Sequence, residues 1–218
     1  MTLTLNKGFW SPASGGGDPL WDDVLLLLTG TEQLGSSSIS FSNLVGSASG
    51  KWGAGYISSA TNYALGDSAL IPATGVFSIE FWLNIIATTT WGGFCNQYYS
   101  DPGRLTIQQG GASATTINVQ VGLNNATSST SIGTGTWAWI QVIKDTAGAT
   151  PTNGVKIYVN GTKEAEFTPS AAVEQTNFTL GSGSNEGNYK SNIYFDDFRV
   201  TAAARTDFTV PTGSLPTD

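Results

Sequence analysis

From Asp18 onwards the chain is a series of strand-length apolar or alternating runs cut by clusters of Gly, Ser, Thr and Asn, and nowhere do 12 or more residues keep a helical period. An amphipathic helix needs several uninterrupted turns to carry its apolar stripe, so punctuation this frequent leaves only strands. The expected class is all-β. The predicted strands are Val24–Leu28, Ala54–Ser59, Val76–Ile86, Gly92–Gln97, Leu105–Gln108, Thr116–Val121, Trp137–Lys144, Val155–Asn160, Thr162–Phe167, Asn177–Leu180 and Ile193–Val200. So many strands make two antiparallel sheets packed face to face. The clearest hairpin joins Val155–Val159 to Thr162–Phe167, where Asn160-Gly161 supplies the two positive-φ residues of a type I′ turn.

A chain of 218 residues is long for one domain but within the range of a single β-sandwich. Its first 17 residues differ from the rest: alternating Thr2-Leu3-Thr4-Leu5, then Gly8-Phe9-Trp10, then a Ser/Pro/Gly hinge. The expected organisation is therefore an N-terminal arm over 1–17 and one domain over 18–218. The apolar arm residues Leu3, Leu5, Phe9 and Trp10 are candidates for binding a partner by adding a strand to its sheet edge, or else for folding back on their own domain.

Charged residues are only 11% of the chain, and the net charge is −7 with nine scattered Lys and Arg. A basic stripe for nucleic acid cannot be assembled from these. The absence of histidine removes Ser-His-Asp and Cys-His nucleophile systems, HExxH zinc hydrolysis and haem ligation through His. Cys95 is the single cysteine, which leaves no internal disulfide and no cysteine zinc site; it reads as a small buried residue. The longest aliphatic run, Val24–Leu28, is far short of the roughly 20 residues that span a bilayer, so no membrane insertion is expected, and Met1–Gly8 lacks the pattern of a secretion signal.

Trp21-Asp-Asp-Val-Leu-Leu-Leu-Leu28, Phe77-Ser-Ile-Glu-Phe-Trp82, Trp137-Ala-Trp-Ile-Gln-Val-Ile-Lys-Asp145, Val155-Lys-Ile-Tyr-Val-Asn-Gly161, Phe178-Thr-Leu-Gly181 and Phe195-Asp-Asp-Phe-Arg-Val200 occur in the order of a laminin-G-like, concanavalin A-like jelly roll, and over residues 18–218 the chain resembles that family. The ending from Arg199 through Arg205, Phe208 and Pro211 to Thr212 is similar to that of such modules in tailed-bacteriophage virion proteins. The resemblance implies a two-sheet jelly roll. It also implies a non-enzymatic decoration or accessory protein on the virion surface, made in the bacterial host cytoplasm and held through its arm to capsid or tail proteins and to its own copies as a homo-oligomer. A tail-fibre adhesin that recognises host polysaccharide is the alternative, and a glycoside hydrolase a more distant one.

Strand alternation sorts the faces. Phe77, Ile79, Phe81 and Leu83 face the core, as do Ala138, Ile140 and Val142, and Val155, Ile157 and Val159. If these strands are neighbours, Glu80, Trp82, Trp139, Gln141 and Tyr158 share the opposite face. Rings that stack on sugars, beside amide and carboxylate groups that bind hydroxyls, make these the glycan-binding candidates; the competing use of such a face is packing under the protein's own loops or a neighbouring subunit. Glycoside hydrolysis needs two carboxyl groups about 5–10 Å apart. The Glu-x-Asp-x-x-Glu strand motif of related glucanases is absent, Asp196 and Asp197 are adjacent and expected on opposite faces, and Glu164 and Glu166 lie on a solvated hairpin arm. Asp197 and Arg199 are expected to serve as an ion pair or backbone anchor. No cofactor is expected; Asp67, Asp101 and Asp145 are the loop carboxylates that calcium would use, and no EF-hand spacing supports it.

Overall fold

The computed structural model describes residues 20–29, 32–37, 39–59, 61–97, 102–111, 114–183 and 189–215. The arm over 1–17, with Leu3, Leu5, Phe9 and Trp10, lies outside the described residues, as does Asp101. A single 3-10 turn at Trp21–Asp23 precedes the strands β1 (Val24–Thr29), β2 (Glu32–Leu34), β3 (Phe41–Ser42), β4 (Val45–Ser47), β5 (Gly55–Ser58), β6 (Ala64–Gly66), β7 (Phe77–Ala87) and β8 (Gly93–Gln97). After them come β9 (Leu105–Gln109), β10 (Ile117–Val121), β11 (Asn124–Thr127), β12 (Trp137–Lys144), β13 (Val155–Val159), β14 (Thr162–Phe167), β15 (Phe178–Leu180) and β16 (Asn192–Thr201). Every predicted strand is present. The further ones, β2, β3, β4, β6 and β11, have two to four residues each.

Two antiparallel sheets form the sandwich. The first is 9-stranded, in the order β14-β13-β12-β7-β16-β1-β2, with β5 paired to β16 and β4 to β5; the second is 7-stranded, in the order β11-β10-β9-β8-β15-β6-β3. One core fills the space between them: Phe77, Ile79, Phe81 and Leu83 of β7 and Ala138, Ile140 and Val142 of β12 meet Leu105, Ile107, Ile117, Val119 and Phe178 of the second sheet. The Asn160-Gly161 turn has φ of 49° and 79°, as a type I′ turn requires. The Asn160 Oδ1 also accepts the Trp139 N–H at 2.9 Å, tying the hairpin to β12.

A bulge in β16 shapes the first sheet. Asp196 lies opposite Trp82 and Arg199 opposite Glu80, so β16 carries one residue too many between them, and Asp197 has φ of 47°. Phe195 and Phe198 both enter the core, which turns Asp196 and Asp197 to the same outer side rather than to opposite faces. Each is nevertheless taken up by donors of the chain itself. Asp196 accepts the Trp52 N–H at 3.1 Å, and Asp197 accepts Thr29 Oγ1 at 2.6 Å and the Leu215 N–H at 2.9 Å. The expected anchoring role of Asp197 is present, whereas Arg199 pairs with Glu80 and not with Asp197.

Candidate functional site

Strands β13, β12 and β7 are indeed neighbours, and their register sets Trp139 opposite Trp82 and Gln141 opposite both Glu80 and Tyr158. The expected aromatic and polar face therefore exists, but it is closed. Exposure falls to 1% for Glu80, Trp139 and Gln141, 4% for Trp82 and 8% for Tyr158. The cover is the chain's own ending, residues 202–215, which runs back over β12 and β13 as a strap. Phe208 stacks on Tyr158 with ring centroids 4.2 Å apart and planes 8° apart. Gln141 Nε2 donates to the Asp207 carbonyl at 3.1 Å, and Leu215 joins Val24, Leu27, Trp82 and Trp139 in a second apolar cluster. Trp52 adds an edge contact on Trp82 at 5.9 Å.

Under the strap Glu80 gathers the charge. Its Oε2 receives Arg199 Nη2 at 2.8 Å and Arg205 Nε at 3.0 Å, and its Oε1 accepts from Gln141 Nε2 at 2.9 Å. Both oxygens of this carboxylate are thus taken by the chain's own donors, under a strap that separates them from solvent. The glycan candidates Glu80, Trp82, Trp139, Gln141 and Tyr158 are thus brought together as a packing surface, because burying two indoles and a phenol under apolar strap residues stabilises more than leaving them wet. Glu164 and Glu166 do not act as a pair. Glu164 accepts the Ser129 and Thr130 N–H groups, each at 3.1 Å, while Glu166 pairs with Lys163 at 2.8 Å. Cys95 is fully buried, and burial pushes its thiol up, which keeps it protonated and inert.

The accessible site is on the other sheet. With Leu105, Ile107, Ile117 and Val119 in the core, alternation turns Thr106 and Gln108 of β9 and Asn118 and Gln120 of β10 outward. They floor a cleft of about 470 Å³, walled by Asn125 and Thr127 of β11 and Arg104 on one side and by Trp91, Gly183 and Tyr189 at one end. The amides orient one another. Asn118 Nδ2 donates to Asn125 Oδ1 at 3.2 Å and to Thr127 Oγ1 at 2.9 Å, and Arg104 Nη1 donates to Gln120 Oε1 at 2.9 Å. Thr106 Oγ1, on the floor, has no hydrogen-bond partner among the described residues, as has Asn96 Oδ1 on the neighbouring strand.

The aromatic end is built under constraint. Trp91 and Tyr189 are 41% and 57% exposed, and both have φ of 55°, a region bulky side chains rarely adopt. Backbone bonds hold Tyr189 there: its carbonyl accepts the Gly93 N–H at 2.8 Å and the Gly183 N–H at 3.2 Å. Gly93 is needed at this point, since a Cβ there would collide with the Gly183 backbone. Two rings are thereby presented to solvent above a floor of amides and hydroxyls. Sequence reasoning missed this site, although the same alternation that sorts β7 and β12 separates Thr106, Gln108, Asn118 and Gln120 from the core residues between them.

An all-β sandwich with a polar, aromatic-rimmed cleft on one outer face defines a carbohydrate-binding-like jelly-roll domain. The chain belongs to the concanavalin A-like lectin/glucanases superfamily, whose laminin G-like family it matches over residues 58–210, a span that holds both the cleft and most of the strap. No curated protein sequence matches it. Among solved structures it is similar to domain 4 of AbnA, a GH43 extracellular arabinanase from Geobacillus stearothermophilus in complex with arabinotriose, with a TM-score of 0.56, 16% identity and 84% of each chain covered. It is also similar to a botulinum neurotoxin type C structure described as interacting with two ganglioside molecules (TM-score 0.57, 13% identity, 87% of this chain and 50% of that one). The receptor binding domain of botulinum neurotoxin mosaic serotype C/D is a further neighbour (TM-score 0.60, 13% identity, 86% and 49%). The chain spans about half the length of these toxin chains. Identities this low carry the fold alone.

Proposed function

We propose that this chain is a non-enzymatic carbohydrate-binding domain whose ligand lies in the cleft across β9, β10 and β11. The observation that carries the proposal is the composition of the cleft: side-chain amides and hydroxyls on alternate positions of adjacent strands, two solvent-facing aromatic rings at one end, and no carboxylate among the described lining residues. Amides and hydroxyls match sugar hydroxyls, rings match sugar C–H faces, and hydrolysis would need a pair of acids. Neighbours crystallised with arabinotriose or described with gangliosides support the same use of the fold. The test is a glycan array with the intact chain, followed by Trp91→Ala and Tyr189→Ala. Each ring is more than a third exposed, so each variant should keep its melting temperature and lose roughly three- to tenfold in affinity. Unchanged affinity in both would refute the cleft as the site.

The setting proposed for this domain is a virion surface, with residues 1–17 binding capsid or tail proteins and sister copies. Its support is the resemblance of the Arg199–Thr212 ending to those of tailed-bacteriophage proteins. Immunogold labelling of virions that carry this protein tests it. Gold over the head fits a decoration protein, gold on the tail fits an adhesin, and unlabelled particles overturn the setting without touching the cleft.

A further inference from the structure

The strap seals one end of the first sheet's outer face, and we propose that the segment Leu3–Phe9 of the same chain docks across the other end. Register and alternation define that end. Leu83, Ile85, Ala138, Ile193, Phe195 and Tyr56 are core, which turns Asn84, Ile86, Trp137, Tyr194 and Ile57 outward. Trp137 lies opposite Asn84, Asn84 opposite Tyr194, Tyr194 opposite Ile57 and Ile57 opposite Val45, so one uncharged row crosses β12, β7, β16, β5 and β4. The row and its flanks are open to solvent. Val45 is 40%, Trp52 39% and Ile86 36% exposed, three of the six exposed large hydrophobic side chains among the described residues.

The dimensions of the face select the occupant. Four inter-strand spacings of about 4.8 Å make the row about 19 Å long, and the positions from Trp82 to Ile86 along β7 make it about 13 Å deep. Roughly 250 Å² is far less than the about 800 Å² per partner that holds two folded surfaces together. A single extended segment fits instead. Leu3, Leu5 and Phe9 fall on one side of such a segment, and its ends are about 20 Å apart at about 3.3 Å per residue. Lys7, on the same side, lays its alkyl stem along apolar surface with the ammonium in water. The described chain begins at Leu20, and Trp21 packs at the sealed end of this same outer face. Val24 lies opposite Thr201, and from there to Tyr194 is about 23 Å of β16. The chain from Phe9 to Leu20 extends to about 36 Å, so it spans that distance. So short a tether holds the segment near its own domain at about millimolar effective concentration, above what other copies supply in micromolar solution. The inference goes beyond the glycan reading and leaves it untouched; in the virion setting, this face is the place the arm leaves when it binds a capsid, tail or sister-copy partner.

The experiment is hydroxyl-radical footprinting of the intact chain, read residue by residue by mass spectrometry. Trp91, 41% exposed beside the cleft of the other sheet, is the internal reference for Trp52 at 39%. Trp52 should be labelled at least about threefold more slowly than Trp91, the drop for a face covered about two-thirds of the time, with Val45 and Ile86 slowed alongside it. One chain carrying Leu3→Ser, Leu5→Ser and Phe9→Ser together should bring Trp52 up to the Trp91 rate. The comparison of the two rings in the parent needs no variant, so the proposal stays open to refutation even where the serine chain fails to fold. Equal labelling of the two rings in the parent overturns it, and so does protection that the serine chain keeps, because something other than this segment then covers the face. Protection should be the same at about 1 μM and about 100 μM protein; protection that grows with concentration places the segment on a second copy and overturns docking on its own domain.

Discussion

Replacing Glu80 by Gln should cost this protein much of its stability and none of its ligand recognition. Glu80 is 1% exposed and meets the guanidinium groups of Arg199 and Arg205 at 2.8 and 3.0 Å. The amide keeps the volume but removes the charge, leaving two buried cations against a neutral group. Breaking a buried ion pair from one side costs about 3–5 kcal/mol. Asp207 remains close, its carboxyl held below the usual range by hydrogen bonds from Thr209 and then by the fields of Arg199 and Arg205, and so the lower end, about 3 kcal/mol, is expected. With a urea slope of about 2–3 kcal/mol/M for a domain this large, the midpoint falls by roughly 1–1.5 M at unchanged slope. The triple replacement Glu80→Met, Arg199→Met, Arg205→Met removes all three charges together and should cost less than the single change. A Glu80→Gln midpoint within about 0.3 M of the parent, or a triple variant worse than the single one, would refute the account of the strap as held by this cluster.

Three further outcomes follow from the contacts. The Glu164 carboxyl is held below its ordinary value first by hydrogen bonds from the Ser129 and Thr130 hydroxyls, so its contribution is present above the unfolded value of 4.5 and is lost as pH falls through the lower folded value; the hydrogen-exchange protection of residues 128–131, corrected for the intrinsic rate at each pH, should fall in that acid window, and Glu164→Ala should make that protection pH-independent. Lys144→Met leaves the Gly75 and Thr146 carbonyls without the Lys144 donor, while the Thr74 carbonyl keeps the Gly148 N–H at 2.7 Å, and should destabilise by about 2–3 kcal/mol in urea, unfolding the 72–76 loop first by limited proteolysis. Phe208→Ala removes the stacked partner of Tyr158 and should cost about 1–2 kcal/mol, with faster exchange confined to residues 205–210; unchanged exchange there would mean the strap is held elsewhere.

Period-2 alternation makes most of this architecture legible in the sequence, because a strand between a core and a second face must alternate whatever its neighbours are. The strands β2, β3, β4, β6 and β11 escape because two to four residues give no alternation to see, and Val45–Ser47 and Asn124–Thr127 bury almost nothing. The shared face of Glu80, Trp82, Trp139, Gln141 and Tyr158 is legible for the same reason, down to the cross-strand pairs. What lies on top of it is not. Phe208 and Val210 alternate for only two positions before Pro211 and Gly213 break the run ahead of Leu215, so nothing local marks them as a cover, and only the folded chain shows Asp197 drawing the Leu215 N–H onto the sheet. The bulge at Asp196-Asp197 is hidden likewise, since an extra residue in a strand leaves the apolar positions Phe195 and Phe198 looking like ordinary sequence.

The two outer faces explain why a chain so poor in charge places it so unevenly. On the first sheet, aromatic strand residues draw the strap down by apolar burial, and a buried carboxylate with two guanidinium groups fixes its path. Burying ions gains little net energy but penalises every other docking of the strap, which would leave one of them unpaired. On the second sheet the outward positions are amides and hydroxyls, which satisfy one another sideways and hold no apolar surface to attract a cover. Trp21 and Leu215, near the two ends of the described chain, both pack at the sealed face. The cleft therefore opens on the opposite side of a rigid core, where a ligand is met by side chains already oriented and not by a segment that must first move aside.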